Sequence, residues 1–501
     1  MKNNKTGTYL VISDHYQHVC RNHWIFLSPD ILNDNINVFL ERDIKLNCII
    51  FDKMPCDDEL RDMFAICNPY TVFYTNRIDL SLQSEYAKFF FKSKQGVLLH
   101  ITNINNTIYW IEHKFYKGQY GHKLDPSAIQ INPVYHEFVE YNGFNYVKFD
   151  SCFGNDFMPV MTFCWGITGE KGKSLKIWLD YEKSGDLEIR FNVYTQIKGN
   201  TDGVKEKKVY SEYQLKEQIE LVNSDDISNI FNFSIDIRGS GKLIFRSLHY
   251  RWSRQDFGEF LPGGKRLVDN NRQEIFYYFH PGDLKGPLNV YFSGWRQAEG
   301  FEGWGMMKSL GTPFLLFSDP RLEGGCFFRG SEELENKVIN VILDTLKFLN
   351  LSNSELNISG ISMGSYAALY YGAIIHPHSI IIGKPIFSLR RLAQNEGKRF
   401  GMFPASLDIL NYVKDMNHSF VDSFAKINLD GTKIMVAYME DDDYDDTAYQ
   451  NILKTNRELG TPATIVGKGY SGRHNDSTNL IIKWFTHQFR SLLEKDFMRR
   501  F

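Results

Sequence analysis

Residues 356–372 read LNISGISMGSYAALYYG, an apolar run that passes directly into a small-residue helical run across a serine set between Gly360 and Gly364. A strand that turns sharply into a helix feeds a crossover connection, so this segment commits its surroundings to a parallel sheet flanked by helices. Small residues beside the turn let it close. The motif Gly360-Ile361-Ser362-Met363-Gly364 then presents the Ser362 hydroxyl at the carboxyl edge of the sheet. A bare G-x-S-x-G also occurs at inert glycine-rich helix starts, so its meaning rests on its context.

That context agrees. From about Gly286 onward the short runs LNVYFSG, PFLLFSD, SIIIGK, KIMVAYM and ATIVGK take turns with helical patterns. The helical patterns are SEELENKVINVILDTLKFLN, SYAALYYGAII and STNLIIKWFTHQFRSLLEK. Short strands with little polar alternation, each followed by an amphipathic helix, predict a parallel sheet covered on both faces. Two other textures precede this one. Residues 1–140 alternate TYLVIS, NCIIF, TVFYT and GVLLHI with polar, helix-compatible stretches, predicting a small α/β domain. Residues 141–282 carry period-two runs (YVKFD, SLKIWLDY, LEIRFNVYT, FNFSIDIR, KLIFRSLHYRW, EIFYYF) divided by KSGD, KGNTDG and RGSGK. That pattern predicts a β-sandwich, a module type that often binds sugars, with RGSGK as a hairpin turn rather than a phosphate loop. The 501 residues are therefore expected to form three domains: 1–140 small α/β, 141–282 β-sandwich and 283–501 α/β-hydrolase-like.

Composition narrows the function classes. Hydrophobic residues at 43% and charged residues at 23% supply a full core, and a net charge of -3 gives no general attraction to nucleic acid. Seven cysteines, odd in number and never spaced as CxxC, fit reduced and mostly buried thiols, which implies a cytoplasmic protein. No run approaches 18 apolar residues, and the N-terminal apolar run stops at Asp14, so neither a membrane span nor a signal peptide is expected.

A serine hydroxyl is a poor nucleophile near neutral pH and needs a base, which in turn needs an acid to orient it. In an α/β-hydrolase sheet the order along the chain is serine, acid, histidine. His418 precedes the KIMVAYM strand and His487 lies inside the last helical pattern, whereas His474 occupies the loop GYSGRHND between a strand and that helix. His474 is thus the candidate base. The acid belongs just past KIMVAYM, where EDDDYDD places six carboxylates between Glu440 and Asp446. Glu440 is nearest the strand end and Asp442 has the spacing of many hydrolase acids, so both stand as candidates. The oxyanion formed on attack needs two fixed N–H donors. The Met363 backbone is one candidate, and Trp295 in YFSGWRQAEGFEGWG is the other, with Gly294 shaping the turn. Trp295, Trp304 and Phe301 are candidates for the mouth of the site. No metal-ligand spacing is present.

The segments YFSGWRQAEGFEGWG, GISMGSYAALYYGA, GKPIFSLRRLAQNEGKRFGMFPASLD, AYMEDDDYD and GRHND together resemble one family, accessory secretory protein two of the Gram-positive accessory Sec system. The resemblance implies a cytoplasmic complex with two other accessory secretory proteins, acting with a dedicated Sec ATPase and translocon to export serine-rich-repeat adhesin glycoproteins. It further implies O-acetylation of N-acetylglucosamine on those adhesins through a Ser, carboxylate and His triad. Carried onto this sequence, that names Ser362 and His474, and the family's glutamate favours Glu440 over Asp442. No tightly bound cofactor is expected, only an acetyl donor as co-substrate, acetyl-CoA being one candidate. The alternatives are a serine esterase or deacetylase of carbohydrate esters, and a non-catalytic scaffold of the export complex.

Overall fold

The computed structural model describes residues 8–16, 23–42, 44, 46–101, 103–114, 121–223, 226–260, 263–409, 431–458 and 463–500. Cys20 and His418 lie outside them. The chain forms two compact units, one of residues 1–118 with 254–265 and 279–283, the other of residues 119–253, 266–278 and 284–501.

The first unit holds a five-stranded parallel sheet in the order β2-β1-β3-β4-β5. Its strands are β1 (Thr8–Ile12), β2 (Trp24–Leu27), β3 (Leu46–Phe51), β4 (Val72–Thr75) and β5 (Val97–Leu99). Four helices accompany them: α1 (Leu32–Glu41), α2 (Asp57–Met63), α3 (Glu85–Ser93) and α4 (Ile104–Lys114). The aromatic stripe of α3 explains its packing, since Phe90 and Phe91 meet Phe51 edge-on at 5.9 and 5.3 Å. This is the small α/β fold that the alternation predicts, with β2 added.

The second unit contains two sheets. The first has nine strands: β6 (Gly121–Leu124), β7 (Ile129–Ile131), β8 (Val139–Asn142), β9 (Tyr146–Phe163), β10 (Ile167–Gly169), β11 (Leu175–Ile197), β12 (Glu206–Ser211), β13 (Ile219–Leu221) and β14 (Asn229–Trp252). Here KSGD and RGSGK are not hairpin turns. They lie inside the long strands β11 and β14 and pair with each other, Gly185 opposite Gly241 and Asp186 opposite Ser240. Gly239 and Gly241 take φ of 93° and 149°, and a Cβ on Gly239 would stand 2.0 Å from the Asp186 carbonyl oxygen. The glycines bend both strands without breaking the ladder. An extended run from Phe233 to Phe245 would span about 40 Å, yet both rings pack on Phe163, at centroid distances of 6.3 and 6.0 Å. One continuous sheet thus folds over itself and closes a single apolar core.

The second sheet of this unit has eight strands: β15 (Lys265–Val268), β16 (Glu274–His280), β17 (Leu288–Phe292), β18 (Phe314–Ser318), β19 (Leu356–Ile361), β20 (Ser379–Gly383), β21 (Lys433–Met439) and β22 (Thr464–Tyr470). Their spatial order is β15-β16-β18-β17-β19-β20-β21-β22, and the pairs from β18 through β22 are parallel. Around it lie α5 (Trp304–Lys308), α6 (Glu332–Leu349), α7 (Met363–Ile375), α8 (Leu389–Lys398), α9 (Ala448–Glu458) and α10 (Thr478–Lys495). Helix α7 is apolar nearly all round, as a helix sunk between strands and neighbours must be.

Two domain boundaries move. Strand β6 at Gly121 already belongs to the folded-over sheet, ahead of the expected boundary at 140. The run EIFYYF, expected in the sandwich, is β16 of the eight-stranded sheet, because its aromatics stack on that sheet's strands: Tyr277 packs on Phe317 at 6.3 Å and Tyr278 on Phe314 at 6.2 Å. Cysteine burial is also split, with Cys48, Cys67 and Cys326 buried and Cys56, Cys152 and Cys164 exposed; all six are free thiols. No helix among the described residues is long and apolar enough to cross a membrane.

Candidate active site

Ser362 stands between β19 and α7 with φ of 56° and ψ of -120°, a backbone that a non-glycine residue holds only under strain. The turn is crowded enough to explain both glycines: a Cβ on Gly360 would come within 2.1 Å of the Gly364 oxygen, and one on Gly364 within 2.0 Å of the Phe292 oxygen. The Ser362 N–H donates to Gly383 O at 2.9 Å, tying the elbow to β20.

His474 lies in the loop between β22 and α10, is 2% exposed, and places Nε2 2.8 Å from Ser362 Oγ. Its Nδ1 faces both oxygens of Asp442, at 2.9 and 3.1 Å. A carboxylate only accepts, so Nδ1 carries the proton and Nε2 offers its lone pair to the serine hydroxyl. Two further contacts hold the ring. Tyr444 stacks on it at 4.0 Å with 4° between the planes, and the His474 N–H donates to Asp443 at 3.1 Å. Arg399 lies 4.2 Å from the Tyr444 ring centre, and two groups this close to one ring must occupy opposite faces.

The carboxylate at His474 is therefore Asp442. Glu440, which the family resemblance favours, continues the β21 ladder through its N–H to Tyr470 O and accepts from Ser471 Oγ at 2.9 Å, on the exposed side. The shift of two residues has a simple cause: the chain needs the extra turn past the strand to bring a carboxylate back over the sheet edge. Asp442 Oδ1 accepts the Tyr444 N–H at 2.8 Å, which closes that turn. The rest of the acidic run is used locally. Asp445 accepts the N–H groups of Phe387 and Ser388, and Asp446 pairs with Arg391 at 2.7 Å.

Of the two expected oxyanion donors, Met363 follows Ser362 directly and Trp295 lines the same cavity. Met363 is the first residue of α7, so its N–H has no intrahelical acceptor. In the loop after β17, Ser293 N–H donates to Phe317 O, Gly294 N–H to Glu302 at 2.8 Å and Arg296 N–H to Gly324 O. Trp295 N–H, in their midst, has no acceptor among the described residues. Trp295 also presents its ring to the cavity, edge-on to Phe403 at 5.8 Å. The other two aromatics do not line the mouth. Phe301 is buried against Tyr278, and Trp304 lies outside the cavity under Lys308.

The cavity over Ser362 has a volume of about 330 Å³ and walls of Ile361, Ile386, Leu392, Phe403 and Ile409. A pocket of this size and character admits an acyl chain and part of a larger ligand. Its one lysine, Lys384, donates to Thr478 Oγ1 at 2.7 Å, and burial pulls its ammonium below the usual lysine range against the opposing pull of Asp442 and Asp476. Lys384 and Tyr444 escape sequence reasoning. Tyr444 had a signal, as the one aromatic inside a run of carboxylates.

The sheet carries the serine after its fifth strand, the carboxylate after its seventh and the histidine after its eighth, within a mixed α/β domain built on a parallel sheet. The chain belongs to the accessory Sec system GspB-transporter family, whose profile it matches across residues 10–499. It is 37% identical over 474 residues to the accessory Sec system protein of this family from Streptococcus gordonii, covering 92% of this chain and 91% of that one. The Staphylococcus aureus (strain NCTC 8325 / PS 47) protein is 38% identical over 412 residues, 80% of this chain and 78% of that one. Among solved structures, the chain is similar to one in the Glycosylation Associate Protein (Gap123) complex from Streptococcus agalactiae, with a TM-score of 0.88, 34% identity and 99% of each chain covered.

Proposed function

We propose that this protein is a serine-dependent O-acetyltransferase that modifies N-acetylglucosamine on serine-rich-repeat adhesins as a component of their accessory Sec export machinery. The observation that carries the chemistry is the unbroken line Asp442, His474, Ser362 on a strained turn beneath an apolar cavity. Family membership supports the export role. The similar chain from Streptococcus agalactiae was solved within a complex, which supports two other accessory secretory proteins as partners. The export ATPase, the translocon and the adhesin itself complete the proposed set.

His474 Nε2 takes the Ser362 proton as Oγ attacks the acetyl carbonyl carbon, and the oxyanion is held by the N–H groups of Met363 and Trp295. The donor's leaving group departs with the proton from His474, leaving an acetyl ester on Ser362. A sugar hydroxyl then gives its proton to His474 Nε2 as it attacks the ester carbonyl, and His474 returns that proton to Ser362 Oγ as the ester bond to Ser362 breaks. Asp442 holds the imidazole in one tautomer and stabilises the imidazolium in both halves. No step needs a resident cofactor; the donor is a co-substrate, for which acetyl-CoA is one candidate. Water in place of the sugar would make the same centre an esterase.

The test is partition. Purified protein with 4-nitrophenyl acetate and rising concentrations of a methyl N-acetylglucosaminide is expected to yield acetylated sugar at the expense of acetate. Acetate alone at every acceptor concentration contradicts transfer and leaves an esterase. No release of nitrophenol from wild type, equal to Ser362→Ala, leaves a scaffold.

A further inference from the structure

The larger unit buries a network of five ionisable groups that the chemistry above does not use. Strand β14 contributes His249 and Arg251, β15 contributes Arg266, β16 contributes Glu274, and the loop after β17 contributes Glu299. His249 Nδ1 lies 2.6 Å from Glu299 Oε1, and Arg251 Nε donates to Glu299 Oε2 at 2.6 Å. Arg251 also pairs with Glu274, which accepts from Arg266 Nε at 2.6 Å. Ligand atoms of His249, Glu274 and Glu299 lie within 4.8 Å of one another, as in a metal centre. Guanidinium groups already occupy both carboxylates, however, so the charge balance asks for no cation. Burial would raise the Glu274 carboxyl, but Arg251 and Arg266 outweigh it and hold the group at about 2.

Buried ion networks add little net stability compared with apolar packing, and their best-supported use is to fix one geometry. The element fixed here is the loop from Ser293 to Gly303. Glu299 is its most deeply anchored point: its carboxylate is gripped from β14, and its N–H donates to Gly121 O of β6 at 2.7 Å. The loop is held again from outside at Ser293 by Phe317 O and at Arg296 by Gly324 O, while Gly294 bonds Glu302 within the loop itself. Between these anchors lies the Trp295 N–H.

We propose that Glu299 is a positioning residue for the oxyanion hole: clamped by His249 and Arg251, it fixes the loop that aims the Trp295 N–H, and the folded-over sheet thereby serves the reaction as a rigid backing. The inference rests on the acyl-transfer reading above. It gives that sheet a part in catalysis that needs no sugar bound to it.

The test uses the full-length protein in three forms. His249→Gln cannot place its amide where Nδ1 stood and loses the bond to Glu299, whereas His249→Asn can place Nδ2 there. With 4-nitrophenyl acetate, His249→Gln is expected to lower kcat about tenfold at unchanged KM, since a misplaced donor costs the transition state and not the ground state, and His249→Asn is expected to restore most of it. Hydrogen exchange of peptides spanning 293–304 is followed in the same proteins, and is expected to quicken in His249→Gln alone. Unchanged kcat per folded protein with unchanged exchange overturns the proposal, as does an equal loss in both variants. If wild type itself turns over no ester, the acyl-transfer reading fails, and exchange at 293–304 still decides whether the network holds the loop. Glu274→Gln, in the same network but off the loop, serves as the control: a kcat loss equal to that of His249→Gln at equal loss of Tm reduces the effect to stability and overturns the proposal.

Discussion

Replacing Asp442 by asparagine changes one atom and reverses the proton logic of the site. Asp442 Oδ1 already accepts the backbone N–H of Tyr444 at 2.8 Å and that of Asp445 at 3.3 Å. An asparagine keeps its carbonyl oxygen on those donors and turns its NH₂ toward His474 Nδ1. A donor facing Nδ1 forces the imidazole to carry its proton on Nε2, where it meets Ser362 Oγ as a donor and no longer as a base. The cost is the full benefit of general-base catalysis, about 10³- to 10⁴-fold in kcat, or about 4–5.5 kcal/mol of barrier. Glu440→Gln serves as the internal comparison. That side chain is exposed and bonds only Ser471 Oγ, so its loss is expected to change kcat by less than about twofold. Steady-state ester turnover by the two purified variants, with circular dichroism to confirm folding, measures both. A loss above 100-fold in Glu440→Gln with less than tenfold in Asp442→Asn would refute the assignment of the acid.

Three further outcomes follow from the geometry. Tyr444→Ala removes a ring stacked at 4.0 Å on His474; the stack is worth about 0.5–1.5 kcal/mol, so kcat is expected to fall roughly 2- to 10-fold, with Tyr444→Phe close to wild type in the same assay. Asp408, pushed up to about 6 chiefly by burial, binds more protons folded than unfolded between its ordinary value and about 6, so its contribution to stability declines as pH rises through that window. Asp408→Asn still offers an oxygen to the Phe144 N–H; thermal melts from pH 4 to 7.5 are expected to show it gaining on wild type by about 1–2 kcal/mol, after discounting for partial solvent contact, with no gain at pH 4. Gly364→Ala drives a methyl to 2.0 Å from the Phe292 carbonyl oxygen, a backbone atom that cannot step aside; the variant is expected to lose about 3 kcal/mol or more, seen as a collapse in soluble yield or Tm.

Much of the site is legible in the sequence because its parts are local. A strand, a serine between glycines and a small-residue helix form one contiguous turn, and a histidine between the last strand and last helix has one place to go. The acid is different. In EDDDYDD every carboxylate is within reach of the sheet edge, and the choice of Asp442 over Glu440 depends on how the turn closes on the Tyr444 N–H, which no spacing rule contains. The same limit applies to KSGD and RGSGK. Glycines between period-two runs signal a turn when each run is judged alone, but here the two motifs lie opposite each other and bend a paired ladder. The buried network at Glu299 is hidden for the related reason that its members come from four distant segments. Strand β15 escapes notice because KRLV is too short to show a period-two pattern in isolation.

The central claim is that Ser362 carries an acetyl group to adhesin glycans. Mass spectrometry of adhesin glycans from cells carrying Ser362→Ala, with adhesin secretion scored in the same samples, tests it most directly. The account predicts that the acetyl groups disappear while adhesin is still exported. Acetylation at the wild-type level in that strain would contradict it.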